Sequence, residues 1–327
     1  MEPFKFTRAS DQQSAISSMG SNGVKVIAGG TNLIDLMKLD IEKPSQLVDI
    51  NNLKLQSIET LPNGGMRIGA LVKNSDLAYH PDIITKYLVL SEALLSGASP
   101  QLRNMATVGG NLLQRTRCPY FYNDGFPCNK KNPGSGCSAI EGYNRNNAIL
   151  GTSAQCIATH PSDMCVAMAA LGAVIHVQGP KGARAIPFSE FHLLPGNTPQ
   201  HENTLRQDEL ITTVELPPIP YAGRSHYLKV RDRSSYEFAL ASAAVALDFD
   251  NGRIREARVA LGGVGTKPWR AKLAEKVLTG AVATEQTYRT AAEAALSEAK
   301  PYKHNAFKIE LAKRTLVRAL ITVGGMS

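Results

Sequence analysis

No apolar run in the 327-residue sequence approaches the roughly 18 residues that a membrane-spanning helix needs. The first residues, MEPFKFTRASDQQSA, hold neither the apolar core of a secretory signal nor a twin arginine, so the chain is not expected to carry an export signal of its own. No internal repeat and no low-complexity segment interrupts the chain. The net charge is +8, but its Lys and Arg residues are spread along the sequence and no nucleic-acid-binding motif accompanies them. That pattern reads as a solvated surface with a few cations facing an anionic ligand or partner, and no nucleic acid is expected as a partner. Cysteine is absent from all but one stretch: the five cysteines lie between positions 118 and 165. What remains is ordinary for a globular protein, with 43% hydrophobic and 20% charged residues. The length implies two or three domains.

Residues 1–55 read as a small α/β unit. A helix is expected to open after Ser10 over DQQSAISSMGS. VKVIA (24–28) reads as a buried strand, followed at once by a glycine pair, a helix start at TNLIDLMK and a second strand at QLVDI (46–50). A second α/β unit is expected over 56–218, with a strand at MRIGALV (66–72), a helix over 83–97, and helix then strand across MCVAMAALGAVIHVQ (164–178). From 224 to 327 the pattern changes to three strands, in SHYLKVRD, FALASAAVALDFD and RIREARVALGGV, and then two amphipathic helices over 284–299 and 304–321. Strands followed by helices imply an α+β domain.

The stretch 114–158 has no clean period and is rich in Asn, Gly, Pro, Arg and Cys. Long structureless stretches inside compact domains are commonly functional, and something must order this one. Cys118, Cys128, Cys137 and Cys156 are spaced C-x9-C-x8-C-x18-C. Disulfides are disfavoured without a secretion signal. Structural zinc prefers closely spaced pairs, which are missing. An iron–sulfur cluster tolerates long spacings when a loop wraps it, and Pro119, Pro127, Pro133, Gly134 and Gly136 supply the bends. On spacing alone, iron–sulfur, zinc and uncoordinated thiols all stay open. Cys165, in the apolar run MCVAMAAL, reads as a buried inert thiol.

Two glycine pairs carry a second signal. AGGTNL (28–33) links a strand to a helix, and TVGGNL (107–112) repeats the device just ahead of the cysteine stretch. Paired glycines let the backbone approach a ligand and present N–H groups to a pyrophosphate. Neither matches the G-x-G-x-x-G fingerprint, and no NAD-binding motif is present. LGGV (261–264) reads as a packing feature of a strand.

IAGGTNLIDLMK (27–38), GASPQLRNMATVGGNLLQ (97–114), THPSDM (159–164), DELITTVELP (208–217) and YLKVRDRSSYEFALASAAVAL (227–247) occur together in one family. Over nearly its whole length the chain resembles the FAD-binding medium subunits of molybdenum hydroxylases, the xanthine dehydrogenase and carbon monoxide dehydrogenase group. The resemblance implies a two-part N-terminal FAD-binding α/β region of the vanillyl-alcohol-oxidase type, divided at about residues 1–55 and 56–218, followed by an α+β C-terminal domain over 224–327. In most of that family the GGN motif is closely followed by the serine–aspartate motif, whereas here Asn111 and Asp163 are 52 positions apart. The intervening insertion is similar to that of two branches, the 4-hydroxybenzoyl-CoA reductase β subunits and the FAD subunits of periplasmic aldehyde oxidoreductases. QRTRCPYFY, PCNK and PGSGC are closer to the second. In both branches the insertion holds a [4Fe–4S] cluster, which implies that role for Cys118, Cys128, Cys137 and Cys156.

The same resemblance implies that Val26, Ile27, Ala28, Gly29, Gly30, Thr31, Asn32 and Leu33 wrap the FAD pyrophosphate, with Thr107, Gly110 and Asn111 as the second wall. Asp163 would bond the adenosine part, Ile211 would pack near the adenine, and Lys229 would lie by the isoalloxazine ring, where a cation favours the reduced flavin. From the residues alone, Asp163 reads equally as a helix N-cap and Lys229 as a solvated strand residue. The family implies a heterotrimer with a molybdenum-cofactor large subunit and a small subunit carrying two [2Fe–2S] clusters. Electrons would pass onto FAD and on to an external acceptor such as a ferredoxin-like protein. Arg115, Arg117, Lys130 and Lys131 are expected either to dock that carrier or to form a solvated basic loop. A periplasmic location by co-export with a partner is expected, with the cytoplasm as the alternative. Within the family a subunit of a 4-hydroxybenzoyl-CoA-reductase-like enzyme is the alternative, and two other classes remain: a stand-alone flavin oxidase of the vanillyl-alcohol type, and a metal-stabilised binding module.

Overall fold

The computed structural model of the chain describes residues 1–326. Strands β1 (Lys5–Arg8), β2 (Val24–Ile27) and β3 (Gln46–Asp49) form a parallel sheet with β3 in the centre. Helix Gln12–Met19 starts at Asp11, whose side chain accepts from the Ser14 N–H at 2.7 Å. It lays Ala15, Ile16 and Met19 on this sheet. β1 is not expected from the sequence. Its residues are mostly exposed and it occupies the sheet edge, so it carries no apolar alternation to read.

The second sheet is antiparallel, with β4 (Ile58–Thr60), β5 (Met66–Gly69), β6 (Val174–Gly179), β7 (Gly182–Pro187) and β8 (Leu210–Leu216) in the order β4-β5-β8-β6-β7. The strand expected through residue 72 ends at Gly69, where the backbone passes so near Leu55 that a Cβ would sit 2.1 Å from its carbonyl oxygen. The single helix expected over 83–97 is two, Pro81–Lys86 and Leu88–Ser96. Tyr87 breaks it at φ −141°, burying its ring and donating its hydroxyl to the Pro217 carbonyl at 2.9 Å.

The third sheet is built from β9 (Ser225–Val230), β10 (Ala241–Asp250), β11 (Arg253–Gly262) and β12 (Trp269–Arg270), all antiparallel; helices Lys272–Leu278 and Phe307–Gly324 pack on it, and helix Glu285–Ala295 packs on both of them. The run ASAAVAL in β10 is apolar on both faces because both are covered. Ala241, Ala243, Val245 and Leu247 join the core under the helices, while Ala244 joins the core around helix Asp163–Leu171. That helix is buried at every residue and ends on Gly172 at φ +71°. Between the second sheet's elements, residues 114–158 hold two single-turn helices, Pro119–Tyr122 and Ser138–Glu141, and isolated bridges pairing Cys128 with Cys137, Ser153 with Cys156 and Leu150 with Gly265.

Candidate functional site

Both glycine loops open onto one cavity of about 1080 Å³. All fourteen residues that the family resemblance singles out, from Val26–Leu33 through Thr107, Gly110, Asn111, Asp163 and Ile211 to Lys229, line it. The loops touch each other: a Cβ at Gly29 would stand 2.0 Å from the Met105 carbonyl oxygen, so only glycine lets the two walls meet. Gly30 holds φ +72°, the left-handed region. In the second loop Thr107 accepts from the Gly110 N–H at 3.2 Å and starts the turn Val108–Leu112. The cavity's size, its glycine-bared backbone and its mixed walls suit a large dinucleotide.

Asp163 is not the helix N-cap. Ser162 is, accepting from the Cys165 N–H at 3.1 Å. Asp163 follows it, and both its carboxylate oxygens are engaged: Tyr227 donates to one at 2.6 Å and Lys229 to the other at 2.8 Å. Lys229 is likewise not a solvated strand residue, its side chain being only 4% exposed. The two residues expected at the adenosine and isoalloxazine ends of an extended dinucleotide are therefore joined in one salt bridge and face one portion of the cavity. Tyr227 carries no signal in the sequence. It is buried, its pKa is pushed well up by burial and by Asp163, and its hydroxyl links Asp163 to Ser242.

The four cysteines of the irregular stretch converge. None is in a disulfide, and Cys118, Cys128, Cys137 and Cys156 share one small core with Leu36, Phe121 and Ile157. The sulfurs are met by donors: Asn147 Nδ2 lies 3.6 Å from Cys118 Sγ and the Ala158 N–H 3.4 Å from Cys156 Sγ. Cys137 is pushed down to about 6, first by its hydrogen bond with Cys156 and further by the Ala139, Ile157 and Ile140 N–H groups. Burial instead raises Cys118. Four thiols in a buried cradle of N–H donors fit a thiolate-held cluster. Cys156 and Leu36 also line the large cavity, so the two sites share a wall. Cys165 stands apart, fully buried in helix Asp163–Leu171 with its thiol pushed up to about 12 by burial. Its sulfur lies within 4.8 Å of the neighbouring imidazole nitrogens of His160 and His192, which desolvation keeps neutral.

The basic residues of the stretch are corrected by the structure. Arg115 pairs with Glu42 at 2.8 Å and Glu202 at 2.5 Å, and Lys130 pairs with Glu202 at 2.8 Å. Arg117 donates to Asn32 Oδ1 at 3.0 Å and lies over the Phe238 ring. Lys131 bonds the Asn123 carbonyl at 2.6 Å and has a side chain only 7% exposed. These cations form neither a docking patch nor a solvated loop: Arg115, Arg117 and Lys130 tie the cysteine stretch to the cavity walls, and Lys131 is engaged within the stretch itself by Asn123 and Asp124. Local sequence cannot show this, because Arg115 and Glu202 are 87 positions apart.

Two family models match: the FAD binding domain in molybdopterin dehydrogenase over residues 2–219, and the CO dehydrogenase flavoprotein C-terminal domain over residues 226–323. The chain is 51% identical over 323 residues to the aldehyde oxidoreductase FAD-binding subunit PaoB of Escherichia coli K12, covering 98% of both chains. It is 27% identical to the glyceraldehyde dehydrogenase medium chain of Sulfolobus acidocaldarius, covering 91% of this chain and 89% of the other. Among solved structures, the fold matches reconstituted CO dehydrogenase from Oligotropha carboxidovorans at TM-score 0.78 and 23% identity, covering 100% of this chain and 99% of the other. Quinoline 2-oxidoreductase from Pseudomonas putida 86 matches at TM-score 0.76 and 24% identity, covering 99% and 97%. Matched by these family models over nearly its whole length and half identical to a full-length relative, the chain belongs to the FAD-binding medium subunits of the molybdenum hydroxylase family and is an oxidoreductase subunit.

Proposed function

We propose that this chain is the FAD- and [4Fe–4S]-carrying subunit of a heterotrimeric, molybdenum-containing aldehyde oxidoreductase. Its partners are a molybdenum-cofactor large subunit that takes the aldehyde and a small subunit with two [2Fe–2S] clusters. The observation that carries this reading is the shared wall between the cysteine core and the cavity, in a chain half identical to an aldehyde oxidoreductase FAD-binding subunit. When bound, FAD and the cluster supply electron transfer between the partner subunits and an external acceptor. The chain's own residues do the positioning. The loops at Val26–Leu33 and Thr107–Asn111 hold the pyrophosphate with backbone N–H groups, and Ile211 gives an apolar side. Lys229, held at Asp163, keeps a buried cation beside the ligand. Cys118, Cys128, Cys137 and Cys156 hold the cluster, and the charges of Arg115, Lys130, Glu42 and Glu202 lock that loop against the cavity.

The acceptor is a ferredoxin-like protein docking elsewhere than on the buried cations of the loop. The compartment is the periplasm, reached by export with a partner that bears the signal. Purification of the assembled complex tests the whole reading. It predicts flavin absorbance with a broad iron–sulfur shoulder and about four irons bound by this chain. A colourless chain would sink it, and aldehyde oxidation by the isolated chain would favour a stand-alone flavin oxidase.

A further inference from the structure

Lysine is among the residues least often buried whole, yet Lys308 has no exposed surface. It sits at the start of helix Phe307–Gly324, and its ammonium donates to three carbonyls: Asn146 at 3.3 Å, Asn147 at 3.1 Å and Gly263 at 2.5 Å. Three donors meet three acceptors, so the charged form is fully satisfied where a neutral amine would leave one acceptor short. Burial presses against that charge, towards about 7, and Arg145 adds to the pressure. A buried cation is costly to keep unless the site needs it.

The site it serves is one peptide away. Asn147 is itself buried. Its backbone carbonyl accepts from Lys308 and, at 3.3 Å, from Asn305 Nδ2, while its side-chain amide donates towards Cys118 Sγ. Asn305 Nδ2 also reaches the Ala148 carbonyl, and the His304 N–H reaches Asn144 Oδ1 at 2.9 Å. Residues 304–308 of the C-terminal unit thus grip residues 144–148 of the cysteine stretch through buried and half-buried polar groups, with the Arg145 guanidinium over the Phe307 ring. The grip contains one unpaired full charge: Lys308 has no carboxylate partner among the described residues, and the nearby Arg145 is paired with Asp232.

We propose that Lys308 raises the reduction potential of the iron–sulfur site by holding a buried positive charge behind Asn147, the donor to Cys118. This rests on the reading that the four cysteines hold a cluster. A fixed cation beside a cluster stabilises the form that has gained an electron, and N–H donors to the sulfurs act in the same direction. Lys308 is a positioning residue: it touches no sulfur and acts through the Asn147 peptide.

The test is a redox titration of the purified complex, following the cluster by electron paramagnetic resonance and the flavin by absorbance. Lys308→Met is expected to keep its iron and its flavin midpoint. Its cluster midpoint should fall, so that at a fixed potential the ratio of reduced to oxidised cluster drops by about tenfold, equivalent to about 59 mV for a one-electron couple. Lys308→Arg should recover part of the shift. Should Lys308→Met not assemble, Asn147→Ala carries the test. It removes the sulfur donor and leaves the charge in place, and a smaller fall in the same direction is expected. Iron-replete variants with an unmoved cluster midpoint would overturn the proposal while leaving the cluster reading intact. A wild-type complex without iron in this chain would instead overturn the cluster reading itself.

Discussion

The stretch 114–158 and the sheet β9–β12 with its helices are held together by different physics. The sheet unit rests on apolar burial: Val245, Leu247, Val259, Leu261, Leu316 and Leu320 are all fully buried in one core. The cysteine stretch has almost no regular ladder and buries polar groups instead, with Asn129, Asn144 and Asn147 inside and bonded mainly to backbone carbonyls and N–H groups. An apolar core is non-directional and tolerates loss by degrees. A web of directional bonds around four thiols depends on every partner at once. One chain therefore contains a scaffold that should fail gradually and a loop that should fail all at once.

The largest effect should come from removing a thiol. Cys156→Ser is expected to abolish iron binding and to release residues 114–158 from protection against hydrogen exchange, while β10 and β11 stay protected. Because Cys156 also lines the flavin cavity, flavin content should fall with the iron. Full flavin occupancy without iron would show that the two sites are independent and that the shared wall does nothing. The converse break is Leu316→Ala in helix Phe307–Gly324. It should cost about 2–5 kcal/mol of stability and lower the melting temperature, yet leave iron and flavin per folded chain unchanged.

The sheet unit was legible in the sequence for the same reason that it is robust. Alternation in SHYLKVRD and RIREARVALGGV, the double-sided apolar run in β10 and the helical period after residue 284 are local patterns written by burial. The glycine loops and the clustered cysteines were legible because glycine pairs at strand-to-helix turns and thiols confined to one stretch each suit a narrow range of chemistry. Tertiary coincidences were not. Tyr87 breaks a helix to reach Pro217, 130 positions on. Asp163 and Lys229 were given separate places on the ligand, and only the fold shows them joined across 66 positions. The basic residues around the cysteines read as surface because nothing nearby in sequence announces Glu42 and Glu202.

Glu202, in the loop between β7 and β8, ties the cysteine stretch to the cavity wall without touching the β9–β12 unit, and it gives the finest test of the contrast. Its carboxylate takes Arg115 and Lys130 together. Burial raises its pKa, but the two cations outweigh burial and leave it below the ordinary carboxylate value. Glu202→Gln leaves Lys130 without its carboxylate and Arg115 with Glu42 alone, and should cost roughly 1–3 kcal/mol, read as faster iron and flavin release with little change in the melting of the sheet unit. The same carboxylate sets an acid limit. The unfolded chain, titrating at about 4.3, binds the proton first, so the stabilisation is complete above that pH and is lost as pH falls through the lower folded value. Iron and flavin should therefore be retained at mildly acid pH and released below about pH 4, before the far-ultraviolet signal of the sheet is lost. In Glu202→Gln that acid step should shrink, because the group that titrates is gone. Simultaneous loss of cofactors and sheet signal in both proteins would mean that the loop and the scaffold unfold as one unit.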